Sequence, residues 1–210
     1  MPIALSTSAS EPRPETLGDA DLFARNAAAL LAREGVDALA QYDRYPAPLY
    51  AVDADGDLLY YNDAWVAIAG RAPQIGIDRW CPCHAILTMA GEPVDQATGP
   101  MATVLRDARP VRGVEALIER PDGERVAVKP YPTPALDDRD RVVGAVNLIV
   151  PLDGALHQEL LATAQRCRTL AKWIGDRQAN DALSRMAVEC DEQALILAPP
   201  PAPAPARSRN

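Results

Sequence analysis

Asp55-Gly56 and Asp122-Gly123 each lie between short apolar runs, and these two turns constrain the fold more than any other feature of the chain. Asp-Gly supplies the positive φ that a tight hairpin needs, so each dipeptide marks a pair of adjacent antiparallel strands. "PLYAVDADGDLLYYN" predicts strands over 48–53 and 57–62. "GVEALIERPDG" and "ERVAVKPYPTPAL" predict strands over 112–119 and 124–132, and the apolar "RVVGAVNLIV" a fifth over 142–150. Val114, Ala116 and Ile118 alternate with Glu115, Leu117 and Glu119, the period of a strand with two unlike faces. The prolines after Lys129 suit a strand end or an edge, where a missing N–H costs nothing.

Helical spacing surrounds these strands. Phe23, Ala27, Leu30 and Leu31, then Val36, Leu39 and Ala40 beyond Gly35, predict one helix or two short ones across 20–44. "DAWVAIAG" reads as a short helix ending at Gly70, and "GPMATVLRDARP" carries a proline at a helix start. Residues 71–99 read as loop with short helical turns. Leu160, Ala164, Cys167, Leu170, Ala171 and Ile174 form one stripe, and Leu183, Met186, Ala187, Cys190 and Ala194 another, with Gly175-Asp176 between them. That is a helical hairpin with an N-cap at its second start. Ser/Pro/Glu-rich residues 1–18 and the Pro/Ala-rich tail 197–210 read as disordered.

The fold class expected is α+β: a five-stranded antiparallel sheet with small helices on one face, flanked by an N-terminal helix and a C-terminal helical hairpin. The divisions expected are 19–45 for the first helical segment, 46–153 for the sheet domain and 154–196 for the hairpin.

Charge excludes some partners. The net charge is −8 and only Lys129 and Lys172 are lysines, so a phosphate backbone is disfavoured and no nucleic acid is expected. No apolar run approaches the ~20 residues of a membrane span, and the first residues lack the pattern of a signal peptide. Cys81, Cys83, Cys167 and Cys190 are therefore expected as reduced thiols in the cytoplasm.

Several stretches together resemble a PAS domain over roughly 46–153: "VDADGDLLYYNDAWVAIAGR", "PMATVLRDARPVRGVEALIERPDGERV", "YPTPAL" and "VVGAVNLIV". They are similar to a bacterial group of stand-alone PAS sensors and adaptors, and "RCRTLAKWIGD" and "LSRMAVEC" resemble the helical C-terminal extension of some short members. Where such chains commonly have a glycine turn before the last strand, this one reads "DDRDR". Where many end in Asp-Ile-Thr, it reads Val150-Pro151-Leu152-Asp153. The resemblance implies a small cavity between sheet and helices that could take a small-molecule ligand without requiring one. It does not extend to flavin: the Asn-Cys-Arg-Phe-Leu-type motif of light sensors is replaced by Arg79-Trp80-Cys81-Pro82.

Candidate site residues are few. Asn147 shares a strand face with Val143, Ala145 and Ile149, where it either holds a ligand or satisfies backbone groups; the second is expected. Asn62 is expected to cap the helix after it. "DRWCPCHAIL" offers Cys81, Cys83 and His84 as ligands for zinc or noncovalent haem, or as a redox thiol pair. Its spacing is one residue short of covalent haem attachment, and a closed zinc site lacks a fourth ligand. Packing through Trp80 and Ile86 is the expectation, with no metal or cofactor. No catalytic motif appears, so the chain is expected not to be an enzyme.

Function is therefore expected to be that of a cytoplasmic sensory or signalling module working through ligand- or partner-dependent protein–protein contacts. The flanking helices would make a homodimer or dock an unidentified signalling partner. Alternatives are a redox or haem sensor centred on Cys81, Cys83 and His84, and a small-molecule enzyme using the cavity.

Overall fold

The computed structural model describes residues 19–152 and 154–196; the segments 1–18 and 197–210, read above as disordered, lie outside them. The first Asp-Gly turn joins β1 (Leu49–Asp53) to β2 (Leu58–Tyr61). Asp53 tightens it, its carboxylate accepting from the Asp55 and Asp57 N–H groups at 2.9 and 2.8 Å. Gly56 has a φ of 87°, and a Cβ there would sit 2.5 Å from the Trp80 ring, so both conformation and space require glycine. The second turn joins β4 (Ala116–Glu119) to β5 (Arg125–Leu136), and β6 (Val142–Pro151) follows. With a short strand β3 (Ala85–Leu87) at one edge, the strands form one antiparallel sheet in the order β2-β1-β6-β5-β4-β3.

Three details differ from the sequence reading. Ala85–Leu87 forms a sixth, short strand, β3, paired with β4; the reading of 71–99 as loop missed it because three residues show no period. β4 begins at Ala116 and not near 112, because Gly113 takes a φ of 75° and Arg112 is turned toward Asp21. β5 runs on to Leu136 through Pro130, Pro132 and Pro134. Those prolines fall where β5 has outrun β4, which pairs only with residues 125–128. The Pro132 carbonyl faces this free edge and accepts from the Val111 N–H at 3.3 Å. The absent N–H of the same residue faces the edge too, so no ladder bond is lost.

The sheet is buried on both faces. On one, Trp65 and Ile68 of α2 (Asp63–Ala69) and Met101 and Val104 of α3 (Pro100–Asp107) cover Tyr50, Val52, Ala145 and Ile149. On the other lies α1 (Asp19–Glu34), whose Ala24, Ala27, Ala28 and Leu31 pack against Leu49, Ala51, Val146 and Leu148. A row of alanines lets the helix approach the strands closely. Leu49 and Leu148, wholly buried there, each contribute about 1.5–3 kcal/mol. Gly35, at φ 83°, ends α1, and a 3-10 helix (Val36–Tyr42) completes the N-terminal segment.

After the sheet, α4 (Ala155–Trp173) and α5 (Arg177–Ile196) form the hairpin the two stripes predict. Asp176 caps α5, its carboxylate accepting from the Gln178 N–H at 3.1 Å. Ala164, Cys167 and Ala187 fill the seam, and Leu160 and Ala194 join the cluster beneath α1. No helix among the described residues is long and apolar enough to cross a membrane.

Candidate functional site

Strand alternation sends Ala145, Asn147 and Ile149 of β6 toward α2 and α3, and Val146, Leu148 and Val150 toward α1. Asn147 is thus a polar group on an apolar face, 4% exposed. Both ends of its carboxamide are used within the chain. Its Oδ1 accepts from the Tyr131 N–H at 3.1 Å, and its Nδ2 donates to the Tyr50 hydroxyl at 2.9 Å. Asn147 also lines a cavity with Trp80, Cys81, Ile86, Met101 and Pro130. The free volume is about 20 Å³, room for roughly one water. A larger guest would have to displace Trp80 or Met101.

Tyr131 carries this network across the sheet. Its backbone bonds to Asn147, while its ring lies on the α1 side beneath the Arg112 guanidinium, 5.5 Å from ring centre to Cζ. Arg112 reaches the Pro132 carbonyl at 2.7 Å, the Thr133 hydroxyl at 2.8 Å and the Asp21 carboxylate of α1 at 2.5 Å. Asp21 also accepts from Arg25 at 2.6 Å. Burial would raise the Asp21 pKa, but the hydrogen bonds from Arg25 and Arg112 outweigh it and leave it below the usual carboxylate value. Neither Arg112 nor Tyr50 was singled out from the sequence. Arg112 stood inside the quoted "PVRG", yet its partner Asp21 is 91 positions away, a separation no local pattern reveals.

Asn62 occupies the cap position expected of it and does more. Its Oδ1 accepts from the N–H groups of Trp65 and Leu49, each at 3.0 Å, and its Nδ2 donates to the Ala47 carbonyl at 2.8 Å. One side chain therefore ties the start of α2 to the entry of β1. Beside it Trp65 is wholly buried, and its indole N–H has no partner among the described residues.

The fold brings together two of the three candidates of "DRWCPCHAIL" and leaves His84 apart. Pro82 bends the chain, and the Cys81 and Cys83 sulfurs meet at 3.3 Å. His84, the next residue, is exposed and does not line the cavity. Trp80 and Ile86 pack against the cluster that holds Tyr50 and Trp65. Among the described residues no group of three or more His, Cys, Asp or Glu is placed to hold a metal ion.

Burial and the neighbouring thiols push the Tyr50 phenol well up, so it stays protonated and can donate as well as accept.

A search among curated proteins finds no match to the sequence. Among solved structures, the LOV protein of Rhodobacter sphaeroides is 15% identical with a TM-score of 0.42, aligned over 83% of this chain and 95% of that one. The PAS domain of the fruit-fly ELK potassium channel is 14% identical with a TM-score of 0.41, over 56% of this chain and 96% of that one. A LOV domain from an Erythrobacter litoralis blue-light activated histidine kinase is 23% identical with a TM-score of 0.41, over 52% and 98%. A family profile described as the PAS fold matches residues 42–152, more than half of the 210. The antiparallel sheet with α2 and α3 on its cavity face falls within that match, and the chain belongs to the PAS fold family.

Proposed function

We propose that the chain is a non-enzymatic sensory module in which the state of the cavity face of the sheet sets how α1, α4 and α5 pack on the opposite face. The observation that carries this reading is the two-sidedness of β6. Asn147 faces the cavity, while its neighbours Val146 and Leu148 form the seat of α1. The link through Tyr131 and Arg112 to Asp21 supplies a physical route between the faces. A ligand or chemical change near Asn147 would shift the population of helix arrangements. Output would be contact with another protein, in the cytoplasm, with residues 46–153 as sensor and the helices on either side as reader.

The same helices support a homodimer. Of the two apolar surfaces that could meet a second copy, α1 is spent on the sheet. The hairpin keeps Leu161, Leu170 and Trp173 of α4, Ile174 just after it, and Met186 and Val188 of α5 open. Trp173 is 85% exposed, an unusual position for an indole unless a partner covers it.

Hydrogen exchange tests the sensory reading. Asn147→Ala removes a cavity-face side chain whose hydrogen bonds go to Tyr131 and Tyr50. The expected result is faster exchange of α1 and α4 amides than in the wild type. Change confined to β1, β5 and β6 would reject the reading.

A further inference from the structure

One pair of nucleophilic side chains stands in contact beside the Asn147 network. Cysteines one residue apart point to opposite sides of an extended chain, but here the Cys83 N–H donates to the Cys81 carbonyl at 2.8 Å around Pro82. This three-residue turn brings both sulfurs to one side. The loop holds it from two directions. Upstream, Trp80 is kept at a φ of 56°, a region bulky side chains rarely enter. Across the loop, Arg71, paired with Asp78, donates to the Cys83 carbonyl at 3.4 Å. Cys83 is buried, while Cys81 is partly exposed and lines the cavity with Asn147.

We propose that Cys81 and Cys83 are a reversible two-electron redox site, a dithiol that a hydroperoxide converts to a disulfide within the turn. The Cys81 thiolate attacks the peroxide, breaking its O–O bond. The distal oxygen becomes a sulfenic hydroxyl on Cys81, and the other leaves as an alcohol, or as water from hydrogen peroxide, taking a proton. The Cys83 sulfur then attacks the Cys81 sulfur, the S–S bond forms, and the hydroxyl leaves as water with the Cys83 proton. The thiols lose two electrons and the peroxide gains them.

The division of labour follows from the contact. Contact with the Cys83 sulfur outweighs burial and draws Cys81 below the ordinary thiol value, with the Tyr50 hydroxyl adding to it. The same contact, with burial, pushes Cys83 up. From 3.3 Å the sulfurs must close to the ~2.05 Å of a disulfide, a movement of about an ångström within the turn. A ring closed across one residue is strained, and strained disulfides are the readily reduced ones. His84 has no part in it.

As a signal this site rests on the sensory reading, since oxidation would reshape the lining beside Tyr50 and Asn147; the thiol chemistry stands without it. The test exposes the full-length folded chain to one equivalent of hydrogen peroxide, alkylates it and maps it by mass spectrometry. Trypsin releases residues 80–106 as one peptide holding Cys81 and Cys83 alone. The expected result is loss of two hydrogen atoms from that peptide, reversed by dithiothreitol, with Cys167 and Cys190 still alkylated. Cys83→Ser should instead leave a sulfenic acid on Cys81 that dimedone traps. Alkylation of both thiols after peroxide, sulfinic acid in place of the disulfide, or oxidation first at Cys167 and Cys190 would overturn the proposal. Hydrogen exchange on the oxidised sample separates the two readings. A disulfide with unchanged exchange in α1 and α4 would leave the redox site standing and sink its use as a signal.

Discussion

At the scale of single residues, Asn147 and Asp21 bear the largest consequences. Asn147→Ala leaves the Tyr131 N–H and one bond of the Tyr50 hydroxyl without partners in a buried place. Denaturant unfolding should show a loss of about 2–4 kcal/mol; a loss within about 0.5 kcal/mol would mean that water replaces the side chain at no cost. Asp21 gives a dependence on pH. Burial alone would raise its pKa, and the Arg25 and Arg112 hydrogen bonds turn the balance downward. A carboxyl held below its unfolded value, about 4, stabilises the fold above that pH and loses the contribution as pH falls through the folded value. Asp21→Asn should therefore cost most near pH 7 and progressively less toward about pH 3. A cost independent of pH would show that the pair contributes packing and not charge.

At the scale of elements, the strands and helices announced by periodicity and turn chemistry are where the sequence places them. Asp55-Gly56 and Asp122-Gly123 sit in their hairpins, and Gly35 ends α1. What the sequence concealed depends on distant partners. β3 is a strand only because Ala85–Leu87 meets β4, and β4 starts late because Arg112 is drawn to Asp21. The prolines of β5 are tolerated because β4 stops short of them. The candidate site was legible in part: the two cysteines and Asn147 could be named. That Cys81 and Asn147 line one cavity, with Cys83 and Tyr50 buried beside them, is a product of strand order. Gly144 marks a further constraint of this kind, since a Cβ there would meet the Val52 carbonyl at 2.5 Å and the Leu31 side chain at 3.4 Å. Gly144→Ala must push β1 and β6 apart beneath α1. We expect a loss of about 2–3 kcal/mol, as for overpacked cores, with exchange rising in both strands. Wild-type stability in this variant would mean that the strands part without resistance.

For the whole molecule, two surfaces meet the question of how a change at the cavity leaves the domain. The hairpin presents Leu170 and Trp173 to solvent, and the homodimer reading gives them a use. Light scattering should return twice the 22.6 kDa of one chain for the wild type and one chain mass for the Leu170→Glu, Trp173→Glu variant. A monomer in both would return these residues to a different partner. Energetic coupling of the cavity face to the helix face of the sheet through Tyr131 is measured by a double-mutant cycle. Asn147→Ala and Arg112→Met, which touch Tyr131 from opposite sides, are made singly and together, and unfolding is measured at one protein concentration. A coupling energy of at least about 0.5 kcal/mol is expected between them; effects that add within about 0.3 kcal/mol would show the two faces to be independent.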